Sequence, residues 1–255
     1  MTLLPDDRIL RLLMELKAAY PGFPWESALW AAHGHRRSPY RTLALFGLSA
    51  RTRDSLLVDM CRKFFQRFPD APSLSALRQA QDGREAVVDE ARSIVRPGQL
   101  PIVASMASAV AGGVPRQREE LLRINGVGDK IAECVLAYGW GQDALPLDAN
   151  CVRVLERVFG LEKARRTPAP LREGLKCMYR RRYQQFDDLS IAMVDIHEIL
   201  RLHGQVCCAR TPQCSRCPVL QCRARREPWD QSGAIEVSPA MWDDWRELIN
   251  EPAAI

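Results

Sequence analysis

Five of the nine cysteines in this 255-residue chain crowd between positions 207 and 222, four of them spaced Cys207-x6-Cys214-x2-Cys217-x4-Cys222. In a reducing compartment such a crowd reads as a metal site rather than a disulfide framework. Four thiolates suit a 4Fe-4S cluster and tetrahedral zinc alike. Two further residues stand where a side chain can act on a substrate. Lys130 lies in the first turn of an expected helix, where the dipole disfavours a cation. Asp148 ends the apolar run Ala144-Leu145-Pro146-Leu147 and opens the helix Ala149-Asn150-Cys151-Val152-Arg153-Val154, a position that helices favour for a capping carboxylate.

The elements that must carry these groups are helical. Apolar residues recur at spacings of three and four, as in Ile9-Leu10-Leu13-Leu16 and Leu43-Leu45-Phe46, and strand-like alternation is nearly absent. Pro21-Gly22, Pro69, Pro72, Asp82-Gly83, Pro97-Gly98, Gly112-Gly113 and Pro168 to Pro170 punctuate the pattern into about ten expected helices. Val114-Pro115 is read as the opening of a helix that buries Leu121, Leu122 and Ile124. Asn125-Gly126-Val127-Gly128 breaks it, and Asp129-Lys130-Ile131-Ala132 starts a second helix reaching about Gly139. The free N–H groups at that second start can hold a phosphate without reading sequence. Met241 to Ile249 is expected to form a short amphipathic helix.

Composition narrows the function classes. No stretch approaches the roughly 18 apolar residues of a membrane span, and Pro5-Asp6-Asp7 precedes any signal-peptide core. The expected location is therefore the cytoplasm, with nucleoid association if the source is bacterial, and no membrane partner. A formal charge of +5 is a mild hint of a polyanionic partner. Arginines cluster at Arg36-Arg37, Arg165-Arg166, Arg180 to Arg182 and Arg223 to Arg226, whereas Lys17, Lys63, Lys130, Lys163 and Lys176 are the only lysines. Cys61, Cys134, Cys151 and Cys177 sit singly in apolar or amphipathic stretches and read as buried structural thiols.

Residues Leu121 to Val154 resemble the signature of the helix-hairpin-helix DNA glycosylase superfamily, whose members include endonuclease III and the mismatch adenine glycosylases. Pro39-Tyr40 through Asp54 resembles the early helix and lesion-facing loop of endonuclease III, so the likeness runs over roughly residues 25 to 222. It implies an all-α fold of two helical domains with a DNA-binding cleft between them. It also implies catalytic roles for Lys130, as the amine that attacks the sugar C1′, and Asp148, as the carboxylate that stabilises the positive charge developing there. The same likeness favours a 4Fe-4S cluster over zinc at Cys207, Cys214, Cys217 and Cys222. The family's six-residue first gap leaves Cys208 spare, and the last gap is one residue shorter than the family's. The cluster is expected to fold Arg210, Arg216 and the Arg223 to Arg226 run into a basic surface.

By the same resemblance Gly126, Val127, Gly128, Arg51, Arg96, Asn150 and Arg153 meet the DNA. Arg51 stands where endonuclease III carries a gap-filling glutamine, and its wedging leucine falls near Arg96-Pro97-Gly98. Asn150 matches the mismatch glycosylases, since endonuclease III has a histidine there. Adenine glycosylases usually lack the lysine and add a C-terminal domain. Expected domains are 28–140, with the hairpin at about 115–139, then 1–27 joined with 141–224, and a tail at 225–255. The expected partner is duplex DNA bearing a damaged or mismatched base, bound by a monomer. The leading expectation is a base-excision glycosylase with abasic-site lyase activity on oxidised pyrimidines. A monofunctional thymine/uracil or adenine mismatch glycosylase is the alternative, and a noncatalytic iron-sulfur DNA-binding protein comes third.

Overall fold

The computed structural model describes residues 6–20, 38–49, 52, 54–79, 83–161, 168–189 and 191–228. Arg51, the tail from residue 229 and the helix expected at Met241 to Ile249 lie outside the described residues. The fold is all-α, with no strand among the described residues. Two units divide the chain, one formed by Met1–Gly34 with Leu145–Pro239 and the other by His35–Ala144 with Ala240–Ile255.

The chain enters the first unit with α1 (Asp6–Ala19). Ile9, Leu12, Leu13 and Leu16 repeat on one helical face and are fully buried.

The second unit holds α2 (Pro39–Leu48), α3 (Asp54–Arg67), α4 (Ala71–Gln79), α5 (Gly83–Arg92), α6 (Leu100–Ala109), α7 (Arg118–Leu121) and α8 (Asp129–Cys134). Ser38 caps α2, its hydroxyl accepting from the Arg41 N–H at 3.2 Å, and Pro39 sets the first turn. Tyr40 and residues 42 to 48 are all buried, so α2 is enclosed on nearly every side within this unit. Gly139 allows the close approach of the segment after α8: a Cβ there would lie 2.8 Å from Pro39 Cα. Phe64, Phe65 and Phe68 pack as an aromatic cluster under α2, where the Tyr40 hydroxyl donates to the Phe68 carbonyl at 2.9 Å.

The first unit resumes with α9 (Ala149–Phe159), α10 (Pro168–Arg181), α11 (Tyr183–Asp188) and α12 (Met193–Val206). On α9 the face Cys151, Val154, Leu155 and Val158 is buried, and Gly160 ends the helix in the left-handed conformation at φ +67°. Its first turn lies against the end of α12, where a Cβ on Gly204 would come within 2.8 Å of Asn150 Cβ. Among the described residues twelve α-helical segments stand, where about ten were expected for the chain. The helix predicted from Val114-Pro115 starts later, at Arg118. Trp140 Nε1 donates to the Pro115 carbonyl at 2.9 Å, Gln142 donates to the Arg116 carbonyl at 3.0 Å, and the Arg116 guanidinium stacks 4.2 Å above the Trp140 ring. These contacts tie up the carbonyls that a first helical turn would need. No helix among the described residues is long and apolar enough to cross a membrane.

Candidate functional site

In the second unit α7 and α8 form the predicted hairpin. The Val127 N–H donates to the Ile124 carbonyl at 2.9 Å, and both side chains are buried. Gly126 takes φ +89°, and a Cβ there would touch Ile102 at 3.0 Å, so this turn requires glycine on two counts. Gly128 is extended and caps α8; a Cβ on it would meet nothing within 4 Å. Arg118 on α7 bridges the hairpin by pairing with Asp129 and, at 3.1 Å, with the buried Glu133. Both carboxylates flanking Lys130 on α8 are thereby engaged. Lys130 makes no ion pair among the described residues; its Nζ lies over the Phe46 ring, 5.3 Å from the centroid.

The loop after α2 and the turn Pro97–Gln99 meet within this unit. Gln99, only 4% exposed, donates through Nε2 to the Leu48 carbonyl and to Thr52 Oγ1 at 2.8 Å, while its Oε1 accepts from the Arg96 N–H at 3.0 Å. The two segments expected to probe the base stack are therefore clamped by one amide. Arg96 itself is exposed beside that clamp. Sequence reasoning passed over Gln99, because its partners lie 47 to 51 positions away.

In the first unit Asp148 is the N-cap of α9. One carboxylate oxygen accepts from the N–H groups of Asn150 at 2.8 Å and Cys151 at 2.9 Å. The other accepts from the Asn150 amide at 3.0 Å. Three donors and the N-terminus of α9 thus fix its direction. Asn150 is held in turn: Arg153 donates to its side-chain oxygen at 2.6 Å, to the Gly204 carbonyl at 2.6 Å and to the Cys208 carbonyl at 2.9 Å. The guanidinium of Arg153, expected at DNA, is engaged with protein acceptors. Lys130 belongs to the second unit and Asp148 to the first.

Past α12 the chain turns tightly from Cys207 to Cys222. Cys207, Cys208, Cys214, Cys217 and Cys222 line one pocket with about 310 Å³ of space between atoms, part of it open to solvent, and no carboxylate lines it. None of the nine cysteines forms a disulfide. The Cys217 thiol is driven well below its ordinary range by a hydrogen bond from Cys207 and by His203, whose Nε2 lies 3.7 Å away, and the shared proton pushes Cys207 up. The Tyr20 hydroxyl lies 2.8 Å from His203 Nδ1 and holds that ring in place. An all-sulfur donor set with one thiolate prepared at the wall fits an iron-sulfur or zinc centre, and the residues that would hold it are these cysteines. His203 is a group that the cysteine spacing did not reveal; it sits one helical turn before Cys207, which was the available signal.

Around the pocket, arginines satisfy loop carbonyls. Arg225 donates to the carbonyls of Cys214, Cys217 and Val219 at 2.7 to 2.9 Å, and Arg157 to those of Cys208, Ala209 and Arg210 at 2.6 to 3.2 Å. Arg225 therefore departs from the expected basic surface, to which the exposed Arg210, Arg216, Arg223 and Arg226 still contribute. Cys61, Cys134 and Cys151 are buried as expected, and burial pushes the Cys61 thiol up to about 12. Cys177 is exposed instead, because Leu171, Leu175 and Met178 set the inner face of α10 and position 177 lies off it.

A glycine-turned hairpin, an aspartate capping a helix and a thiol-lined pocket in one all-α chain define a helix-hairpin-helix protein with a cysteine segment whose donors suit a metal. Over 216 residues, 83% of this chain and 89% of the relative, it is 30% identical to the Endonuclease III of Synechocystis sp.. It is also 27% identical to the Thymine/uracil-DNA glycosylase of Pyrobaculum aerophilum over 208 residues, 77% of this chain and 80% of that one. Among solved structures, a non-covalent Endonuclease III-DNA complex shares the fold with a TM-score of 0.62 at 22% identity, covering 87% of this chain and 96% of its own. No family model matches. The chain belongs to the helix-hairpin-helix DNA glycosylase superfamily and is a DNA N-glycosylase by class.

Proposed function

We propose that the chain is a base-excision repair enzyme that removes a damaged pyrimidine from duplex DNA and then cleaves the strand as a lyase. The observation that carries the lyase reading is Lys130: it follows the hairpin directly, its neighbouring carboxylates are taken by Arg118, and it rests on an aromatic face. In the neutral form its amine attacks the sugar C1′ as the base leaves with the glycosidic electron pair and takes up a proton. The oxocarbenium character of that transition state is stabilised by Asp148, whose carboxylate is oriented before reaction and needs little reorganisation. The resulting Schiff base allows β-elimination of the 3′ phosphate. Extrusion of the base costs a few kcal/mol, which a damaged pair lowers. Backbone N–H groups at Gly126 to Gly128 hold a phosphate, and Arg51, Arg96 and Asn150 are further DNA contacts in this reading. Cys207, Cys214, Cys217 and Cys222 would hold a 4Fe-4S cluster, which would cross-link the loop structurally.

A second reading has a specific observation behind it. Asn150 engages both Asp148 carboxylate oxygens, one through its backbone N–H and the other through its side-chain amide, and a relative at 27% identity is a thymine/uracil-DNA glycosylase. Under that reading Lys130 contacts phosphate and water attacks C1′. Borohydride trapping on abasic-site duplex separates the two. The lyase reading expects a covalent adduct that vanishes in Lys130→Ala; intact base release with no adduct in the native protein refutes it.

A further inference from the structure

Asp148 has two neighbours whose side chains base release does not use. Cys151 stands one turn further along α9, and His197 projects from α12 of the same unit. One ligand atom from each of the three, a carboxylate oxygen, a thiol sulfur and an imidazole nitrogen, lies within 4.8 Å of the other two. Cys151 and His197 are fully buried, while Asp148 is partly exposed. The thiol is separate from the five that line the cysteine pocket.

We propose that Asp148, Cys151 and His197 form a second metal site, for a thiophilic divalent cation of the zinc and cadmium class, whose occupation withdraws Asp148 from base release. The effect on activity rests on Asp148 being the carboxylate that acts in base release; the site itself does not.

Three arguments carry the site. Bond lengths of about 2.3 Å to sulfur and about 2.0 Å to nitrogen and oxygen put tetrahedral zinc ligands roughly 3.5 Å apart, so the group closes around an ion by side-chain adjustment alone. His197 Nδ1 lies 3.3 Å from Glu198 Oε1, and Glu198 is anchored by Arg201 at 3.0 and 3.1 Å. A carboxylate behind the imidazole orients a metal-binding histidine and makes it a better donor. Charge supplies the third argument, since a carboxylate, a thiolate and a neutral imidazole cancel a divalent ion, leaving a neutral complex in a buried place. In the metal-free protein the thiol keeps its proton: burial first, and then the Asp148 charge, push it well above the ordinary range, and the sulfur lies 3.4 Å from the His197 carbonyl. Binding breaks the S–H bond, forms the metal–sulfur bond and releases the proton to solvent. Magnesium and calcium prefer oxygen donors at higher coordination number and are not cations of this class.

The test titrates Zn2+ calorimetrically into the purified protein with its cysteine segment loaded, alongside Cys151→Ala and Cys151→Ser, with melting temperatures to verify folding. The expected result is one zinc per chain whose affinity drops at least about 100-fold in both variants, as great as the largest loss that removing a supporting partner gives. Base release by the native protein falls at least tenfold at saturation and returns on chelation, whereas Cys151→Ala, which keeps the backbone N–H that orients Asp148, loses the zinc response. Binding that persists unchanged in folded Cys151→Ala, or no zinc binding at all, overturns the site. Cys151-dependent binding with full activity overturns the inhibition; if Asp148→Asn is then also active, the error lies in assigning base release to Asp148, and the metal site stands.

Discussion

Gly204→Ala paired with Gly174→Ala tests the packing that holds the candidate carboxylate. Both glycines are helical, and replacing glycine inside a helix with alanine favours the helix by up to about 1 kcal/mol. At Gly174, on α10, a Cβ meets nothing within 4 Å. That variant should gain the full increment. At Gly204 the new Cβ would stand 2.8 Å from Asn150 Cβ, 2.9 Å from its carbonyl oxygen and 3.1 Å from its carbonyl carbon. Ordinary contact distances of about 3.5–4.0 Å then require α9 and α12 to part by about 1 Å, because backbone cannot swing aside. Overpacking costs about 1–3 kcal/mol, and two rigid helices place this site at the upper end. The net expectation is a loss of about 2 kcal/mol for Gly204→Ala, offsetting the helix gain against the clash. Thermal midpoints should move up about 2–4 °C in Gly174→Ala and down about 4–8 °C in Gly204→Ala. Because Asn150 holds Asp148, the same displacement should lower base release about 100-fold, the scale of a 1 Å misplacement, with duplex affinity little changed. Scanning calorimetry and single-turnover base release are the assays. A Gly204→Ala protein at least as stable as Gly174→Ala would refute the reasoning.

Asp148→Asn should reduce base release at least about 100-fold, the scale of losing a preorganised electrostatic group, while binding of abasic-site duplex stays within a few-fold; single-turnover and equilibrium titrations check both. Gly126→Ala should cost about 1–2 kcal/mol from the left-handed backbone alone, with further strain against Ile102, and should weaken binding to undamaged duplex. Arg225→Ala should release the centre in the cysteine segment to a chelator about 10- to 100-fold faster, followed by its visible absorbance, and Arg225→Lys should rescue little, since one ammonium cannot span three carbonyls.

What the sequence disclosed was local. The hairpin glycines, the Asp148 cap and the cysteine spacing each lie within a few consecutive turns, and backbone rules written in such windows apply to them directly. Position 126 needs a positive φ whatever surrounds it, and position 148 caps whichever helix follows. Three features resisted for one reason. Gln99 joins segments about fifty residues apart, His197 meets Cys151 across 46 positions, and Pro115 leaves the helix because a tryptophan 25 residues on takes its carbonyl. Each depends on which elements pack together, and no spacing within a window encodes that. Cys177 shows the limit of residue type as a guide: a thiol is usually buried, but the face of α10 was already set by Leu171, Leu175 and Met178.

The arginine excess acquires a different meaning once the side chains are placed. Thirty-six basic residues with only five lysines suggested a footprint for a polyanion. Yet Arg153, Arg157 and Arg225 point their forks at backbone carbonyls of the segment 204 to 219, whose irregular turns leave acceptors without helical partners. A guanidinium satisfies two or three such carbonyls with fixed geometry, whereas an ammonium is a single strongly hydrated point charge. Arginine is thus required by the cysteine segment whether or not DNA is present, and net charge overstates the surface available to a phosphate backbone. The scarcity of lysine then singles out Lys130. A flexible amine was kept on the first turn of α8, where the dipole opposes it and where arginine, which cannot lose its proton, could not serve as a nucleophile.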